Sequence, residues 1–204
     1  INSQSFERKL IVNEEVSYRL DSLETISFDT GGVPQKVRNE YDENGNPTLY
    51  IGYFWNSESQ SFVPNSKREF SFDENGNQTL YIPYSWNSES QSLFPIGKLE
   101  TSYDENGNRT LYIRYYWNSE SQSFVPDIKS ESSYDENGNP TLYIGYFWNS
   151  ESQSFVLNYK REFSYDENNF KTNETNYTWY PELGVLKPSF KMDISTLSET
   201  NTKL

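Results

Sequence analysis

Histidine and cysteine are both absent from this chain of 204 residues, and methionine occurs once. Without histidine there is no Ser-His-Asp or Cys-His nucleophile, no imidazole metal ligand and no pH switch near neutrality. Without cysteine there are no disulfides, no thiolate chemistry and no zinc ribbon. Long apolar runs are missing too: nothing approaches the run of about 20 apolar residues that a membrane-spanning helix requires. Basic residues are outnumbered, 17 Lys and Arg against 30 Asp and Glu, which leaves a net charge of −13 with no run of Lys or Arg to interrupt it. A nucleic acid or an anionic bilayer therefore finds no electrostatic pull on this surface. The chain starts at Ile1-Asn2-Ser3 rather than at Met, the trace that a processed signal peptide or a trimmed start would leave.

What is present is aromatic. Hydrophobic residues amount to only 33%, yet Tyr, Phe and Trp make up 17%, so most of the apolar surface sits on large rings. Such rings suit pleated, half-buried strands, and Ala-poor, Leu-poor segments rich in Ser, Asn and Tyr do not favour a helical bundle. An all-β fold is predicted.

The segment YDENGNPTLYIGYFWNSESQSFV occupies residues 41–63 and recurs letter for letter at 134–156. The motif Tyr/Phe-Asp-Glu-Asn begins at Tyr41, Phe72, Tyr103, Tyr134 and Tyr165, always 31 residues apart, and Trp55, Trp86, Trp117, Trp148 and Trp179 keep the same interval. Tandem units of this length signal a stacked array. Residues 1–40 read as N-terminal cap strands, with a short helix as the alternative for SFERKLIVNEEV. Residues 41–164 are four near-identical repeats, and 165–204 a degenerate fifth repeat and C-terminal cap, in which ENNF replaces the turn glycine.

Each unit is expected to be a hairpin of two antiparallel strands. Leu49, Ile51, Tyr53 and Trp55 alternate with Thr48, Tyr50, Gly52 and Phe54. The first set never varies among the four good copies. On the second, Gly52 becomes Pro83, Arg114 and Gly145, and Phe54 becomes Ser85, Tyr116 and Phe147. A three-residue Glu-Asn-Gly loop, with glycine in the left-handed region, pairs Asp42 with Asn46. Counting outward from that turn in the second copy puts Phe72, Phe70, Arg68, Ser66 and Pro64 beside Leu80, Ile82, Tyr84 and Trp86. The NSESQS loop, with Trp55 opposite Phe62, agrees. Lys67, Glu69 and Ser71 then fall on the opposite, solvated face. The expected architecture is a continuous antiparallel β-meander of 31-residue, two-stranded repeats, an extended twisted sheet or one curled into a barrel or spiral. It hides one shared dry surface of large apolar side chains.

Candidate sites are few. Asp42-Glu43-Asn44-Gly45-Asn46 is rich in oxygen ligands, but an EF-hand calcium loop needs glycine at its sixth position and Glu at its twelfth, where this chain has Pro47 and Tyr53. Turn chemistry explains the same residues, so no metal ligand and no cofactor is assigned. The acidic pairs, such as Asp42/Glu43 and Asp73/Glu74, could in principle serve glycoside hydrolysis; they recur on every turn with nothing distinguishing one, so no catalytic residue is assigned. The tryptophans Trp55, Trp86, Trp117 and Trp148 share a face with Leu and Ile, which favours burial. A sugar-binding ladder is the second reading, because successive rings two strands apart lie about 10 Å from one another. Phe54, Tyr116, Phe147 and Arg114 form a further ligand-binding strip on the variable face.

The recurring Tyr-Asp-x-x-Gly-Asn at Tyr41, Tyr103 and Tyr134 resembles the YD repeats of RHS-type bacterial surface and toxin-shell proteins. The longer unit is similar to aromatic β-repeats in secreted proteins of flavobacteria and their relatives. That resemblance implies a secreted or cell-surface bacterial protein built from long runs of β-hairpins. The expected function is a non-enzymatic scaffold for adhesion, spacing or binding. A carbohydrate-binding module is the alternative, and a carboxylate-based hydrolase the third reading. Expected partners are a polysaccharide, a surface protein, or a second copy through the sheet's face or edges.

Overall fold

The structure, a computed structural model, describes the backbone of residues 2–12, 15–28 and 34–193 and the side chains of 22–27 and 34–193. Every regular element among them is a strand. They are β1 (Asn2–Val12), β2 (Glu15–Phe28), β3 (Pro34–Tyr41), β4 (Pro47–Asn56), β5 (Ser61–Phe72), β6 (Gln78–Asn87), β7 (Ser92–Pro95), β8 (Gly97–Tyr103), β9 (Arg109–Asn118), β10 (Ser123–Tyr134), β11 (Pro140–Asn149), β12 (Ser154–Tyr165), β13 (Lys171–Tyr180) and β14 (Val185–Asp193). The strand over Asn2–Val12 replaces the short-helix alternative. Hydrogen bonding follows chain order from β1 to β14, with β7 pairing β6 beside the main path. In that order β1 and β14 stand at opposite ends, so the sheet is an antiparallel meander and not a closed barrel. Two compact units are distinguished, Ile1–Leu99 with Tyr116–Phe124, and Glu100–Tyr115 with Val125–Leu204.

The short turns are as the sequence dictates. Asp73 N–H donates to the Asn77 carbonyl at 2.9 Å, Gly76 N–H to the Asp73 carbonyl at 3.1 Å, and Gly76 has φ +81°. In the fifth turn Asn169 takes over the left-handed position with φ 63°, and Asp166 N–H still reaches the Phe170 carbonyl at 2.9 Å. Asparagine tolerates that region better than other side chains do, which is how the degenerate repeat keeps its turn without glycine.

The expected dry face does not form. Phe72 does lie opposite Gln78, but the register then steps so that Ser71 faces Leu80, leaving Thr79 as an extra residue. A second step lies mid-strand, where Gly52 faces Ser66 and Tyr53 faces Pro64, leaving Asn65 extra. Each bulge transfers the residues beyond it to the other side of the pleat. The two offset one another: Trp55 opposite Phe62 is correct, while Ser66 to Ser71 is turned over between them. Lys67 therefore faces Tyr84, and Glu69 faces Ile82. Phe70 lies beside Tyr81, ring centres 5.4 Å apart, and Arg68 covers Tyr50 at 4.9 Å.

Both faces are thus mixed, and among the described residues no apolar side chain is fully buried. Leu80, Tyr84 and Trp86 are half-buried, and so are Lys98 and Glu100. Lysine stems lying over the tyrosine rings of the next strand, ion pairs along a strand such as Lys67 with Glu69, and ring pairs do the covering that a second layer would otherwise provide. In the second copy the long strand is broken at Ile96, whose N–H donates to the Pro83 carbonyl at 2.9 Å. The break falls at the repeat position of the Asn65 bulge and opposite a proline that cannot donate in return.

Candidate functional site

The long loops of the hairpins are exposed throughout, from Ser57 to Ser61, Ser88 to Ser92 and Ser119 to Ser123. In β5 and β6 the inter-hairpin ladder ends at Ser66 opposite Ser85, next to the Asn65 bulge. Beyond it, residues 53–64 pair within their own hairpin, as Tyr53 with Pro64 and Asn56 with Ser61, and residues 84–95 within the next. Between the first two tips lies a groove of 460 Å³, lined by Phe54, Val63 and Ser61 from one side and Trp86, Ser88 and Gln91 from the other. A groove of 310 Å³ recurs at the next pair of tips, where Phe94, Ser90, Trp117 and Gln122 stand in the same repeat positions as Val63, Ser59, Trp86 and Gln91.

The loops that carry these groups share one construction. The Asn87 side-chain oxygen accepts from Glu89 N–H at 2.9 Å and Ser90 N–H at 2.9 Å, and the Ser90 and Ser92 hydroxyls lie 2.8 Å apart. The chain then returns through a left-handed residue that is not glycine: Gln60, Gln91, Gln122 and Gln153 have φ of 49–50°. In the fifth hairpin the corresponding residue is Gly184, φ +62°.

The candidate residues are distributed as follows. Trp86, Phe54 and Trp117 come to the grooves. Trp55, Trp117 and Trp148 meet Phe62, Phe124 and Phe155 edge-on, with ring centres 5.1–5.2 Å apart. All four tryptophans are half-buried rather than enclosed. Tyr116 is 49% and Phe147 40% exposed. Arg114 is drawn to Asp127, its Nε donating at 2.7 Å and its terminal nitrogen lying 2.6 Å from the same carboxylate oxygen. The loop serines and glutamines escaped sequence reasoning because NSESQS reads as a polar connection.

A second recurrent grouping lies on the flat of the sheet. Tyr84 donates to Glu69 at 2.8 Å, Tyr115 to Glu100 at 2.6 Å, Tyr146 to Glu131 at 2.8 Å and Tyr177 to Glu162 at 2.7 Å. Lys129 pairs with Glu131 at 2.7 Å and Lys160 with Glu162 at 2.5 Å. Desolvation and the carboxylate bond push the Tyr84 and Tyr146 hydroxyls up to about 12, and Tyr115 higher still. The lysine ammonium and the tyrosine bond hold Glu131 and Glu162 below the usual carboxylate range. These tyrosines are held as protonated donors, and the carboxylates as acceptors.

The turn carboxylates are also occupied. Asp73 Oδ1 accepts from Asn75 N–H at 3.0 Å and Asn77 N–H at 2.8 Å, and Oδ2 from the Asn77 amide at 3.0 Å. Among the described residues no cluster of three acidic side chains could hold a metal ion, and no helix is long and apolar enough to cross a membrane.

No family model matches the chain, and no curated protein matches it. Among solved structures it is similar to a protein of unknown function from Bacteroides fragilis, at 20% identity over 63% of this chain and 91% of that one, with a TM-score of 0.49. A DUF3836 family protein from Bacteroides vulgatus is similar at 20% identity over 44% of this chain and 89% of that one, TM-score 0.35. A TcdB2-TccC3 chain is similar at 15% identity over 94% of this chain, which spans only 11% of that one, TM-score 0.35.

Proposed function

We propose that the chain is a non-enzymatic repeat scaffold, presented at or beyond a bacterial cell surface, whose hairpins act as equivalent binding units. The observation that carries this reading is recurrence: the groove with Trp86 and Gln91 returns as the groove with Trp117 and Gln122. The Tyr-Glu pairing likewise returns along the array. An enzyme needs one convergent arrangement of unlike groups, whereas equivalent units add avidity. The YD-like spelling of the repeat, a resemblance to surface and secreted proteins, supports the location.

Copy number tests it. Deleting Phe72–Ser102 removes one whole period and joins Ser71 to Tyr103, so the hairpin grammar is kept. Displayed on cells, the shortened chain should retain adhesion to whole bacterial and host surfaces, weakened in proportion to the lost unit. Turnover of any substrate that a substitution in a single hairpin abolishes would overturn the reading.

A further inference from the structure

We propose that the groove between successive hairpin tips is a subsite for an extended, neutral polysaccharide, with the Trp ring as stacking platform and the loop glutamine as hydrogen-bonding arm. This rests on the reading of the hairpins as equivalent binding units and names their ligand.

The lining has the chemistry of a sugar site. Trp86, Phe54 and Val63 offer apolar surface, and Asn56, Ser61 and Gln91 offer hydroxyls and amides, with no ionisable group among the residues that form the groove. An indole face takes the C–H face of a pyranose, and amides both donate to and accept from its hydroxyls. The surroundings set the charge of the ligand: Glu58 and Glu89 stand exposed on the same loops of a chain that carries −13. Anionic glycans are repelled, and neutral ones are not. The groove returns one period on with Trp117 and Gln122, so an extended chain can meet one subsite after another.

Backbone strain supplies an independent argument. Gln91 and Gln122 both line grooves and both sit in the left-handed region, which glycine occupies at Gly184 in the fifth hairpin. The backbone alone prefers glycine there. The Gln91 side chain makes no hydrogen bond to another described residue, so folding does not explain its retention. Strain kept where the fold gains nothing points to use of the side chain.

The test titrates the full chain calorimetrically with soluble xyloglucan, mixed-linkage β-glucan and galactomannan, and with alginate as the anionic arm. At least one neutral polymer should bind, and alginate should not. Trp86→Ala and Trp117→Ala should each weaken binding roughly tenfold with the far-ultraviolet dichroism unchanged. The double variant Gln91→Gly/Gln122→Gly should raise the melting temperature and yet lose affinity at least threefold, roughly the effect of one lost hydrogen bond. A structural role alone would give higher stability with affinity intact, and that result overturns the proposal; so does binding of alginate, or of none of the neutral polymers. Should Trp86→Ala unfold, the glutamine variants still decide. Failure here leaves the graded adhesion of the deletion chain standing, because that assay uses whole surfaces rather than purified glycans.

Discussion

Tyr84 and Glu69 are joined across β5 and β6 by a phenol-to-carboxylate hydrogen bond of 2.8 Å, with Lys67 2.5 Å from the same carboxylate and 4.4 Å from the tyrosine ring centre. The three side chains tie strands that have no second layer to rest on. Because burial and the carboxylate raise the Tyr84 and Tyr146 hydroxyls from 10.0 to about 12, the unfolded chain loses these protons first. Their contribution to stability is therefore complete below about pH 10 and drains away as pH climbs toward 12. Denaturant midpoints measured from pH 8 to 12 should fall over that interval. Tyr84→Phe should cost about 1 kcal/mol at pH 7 and flatten the fall.

At the acid end the turns set the limit. The Asn77 side-chain amide, followed by its backbone N–H, holds Asp73 below its ordinary value of 3.8, and Asp42 and Asp104 are held low by their own turns. A depressed folded value means that the stabilisation is present above the unfolded pKa and lost as pH falls through the folded one. Thermal melts between pH 5 and 2 should show a steep decline. Asp73→Asn should make that decline shallower, at the expense of stability at pH 7.

Backbone conformation gives a prediction of opposite signs in two copies of one turn. Gly76→Ala forces a side chain into φ +81° and should cost about 1–2 kcal/mol. Asn169→Gly relieves φ 63° and should gain a few tenths to about 1 kcal/mol. Urea midpoints with an unchanged m-value would verify both; equal effects would mean that the fifth turn is not the one described.

The variable face is coupled across strands. Gly145 lies under Tyr159, so a Cβ at 145 would meet the ring, whose Cζ is 2.7 Å from that point. Gly145→Arg alone should destabilise by about 1–3 kcal/mol. Borrowing the third hairpin's solution, Tyr159→Ile with Asn158→Asp, should recover most of that loss, because Arg114 is there held by Asp127. A double-mutant cycle with no interaction energy would contradict the coupling.

The period, the hairpin class, the geometry of the short turn and the pairing of Trp55 with Phe62 were legible in the sequence, since glycine, asparagine and strict spacing specify them. The side on which Lys67, Glu69 and Ser71 lie was not. Thr79 and Asn65 carry no bulge signature, and their two register steps offset one another, so reasoning inward from either loop met the same wrong middle. One signal was available: a Tyr84 hydroxyl flanked by apolar neighbours needs an acceptor, and Glu69 stands at a spacing from it that recurs at Tyr115, Tyr146 and Tyr177, though not at Tyr53, where Arg38 holds the place. Trp86 and Phe54 were legible as ligand candidates. Gln91 was not, although superposing Gln153 on Gly184 by the 31-residue period marks a position that asks for glycine.

A sheet in which no described apolar side chain is fully buried has no single centre to breach. Each hairpin is secured by the ones on its flanks, so a pull applied at the two termini should strip units singly, in a sawtooth of near-equal force peaks. Each peak should release the contour of one 31-residue period, roughly 100–110 Å of extended chain, so that under load the chain would lengthen in fixed steps.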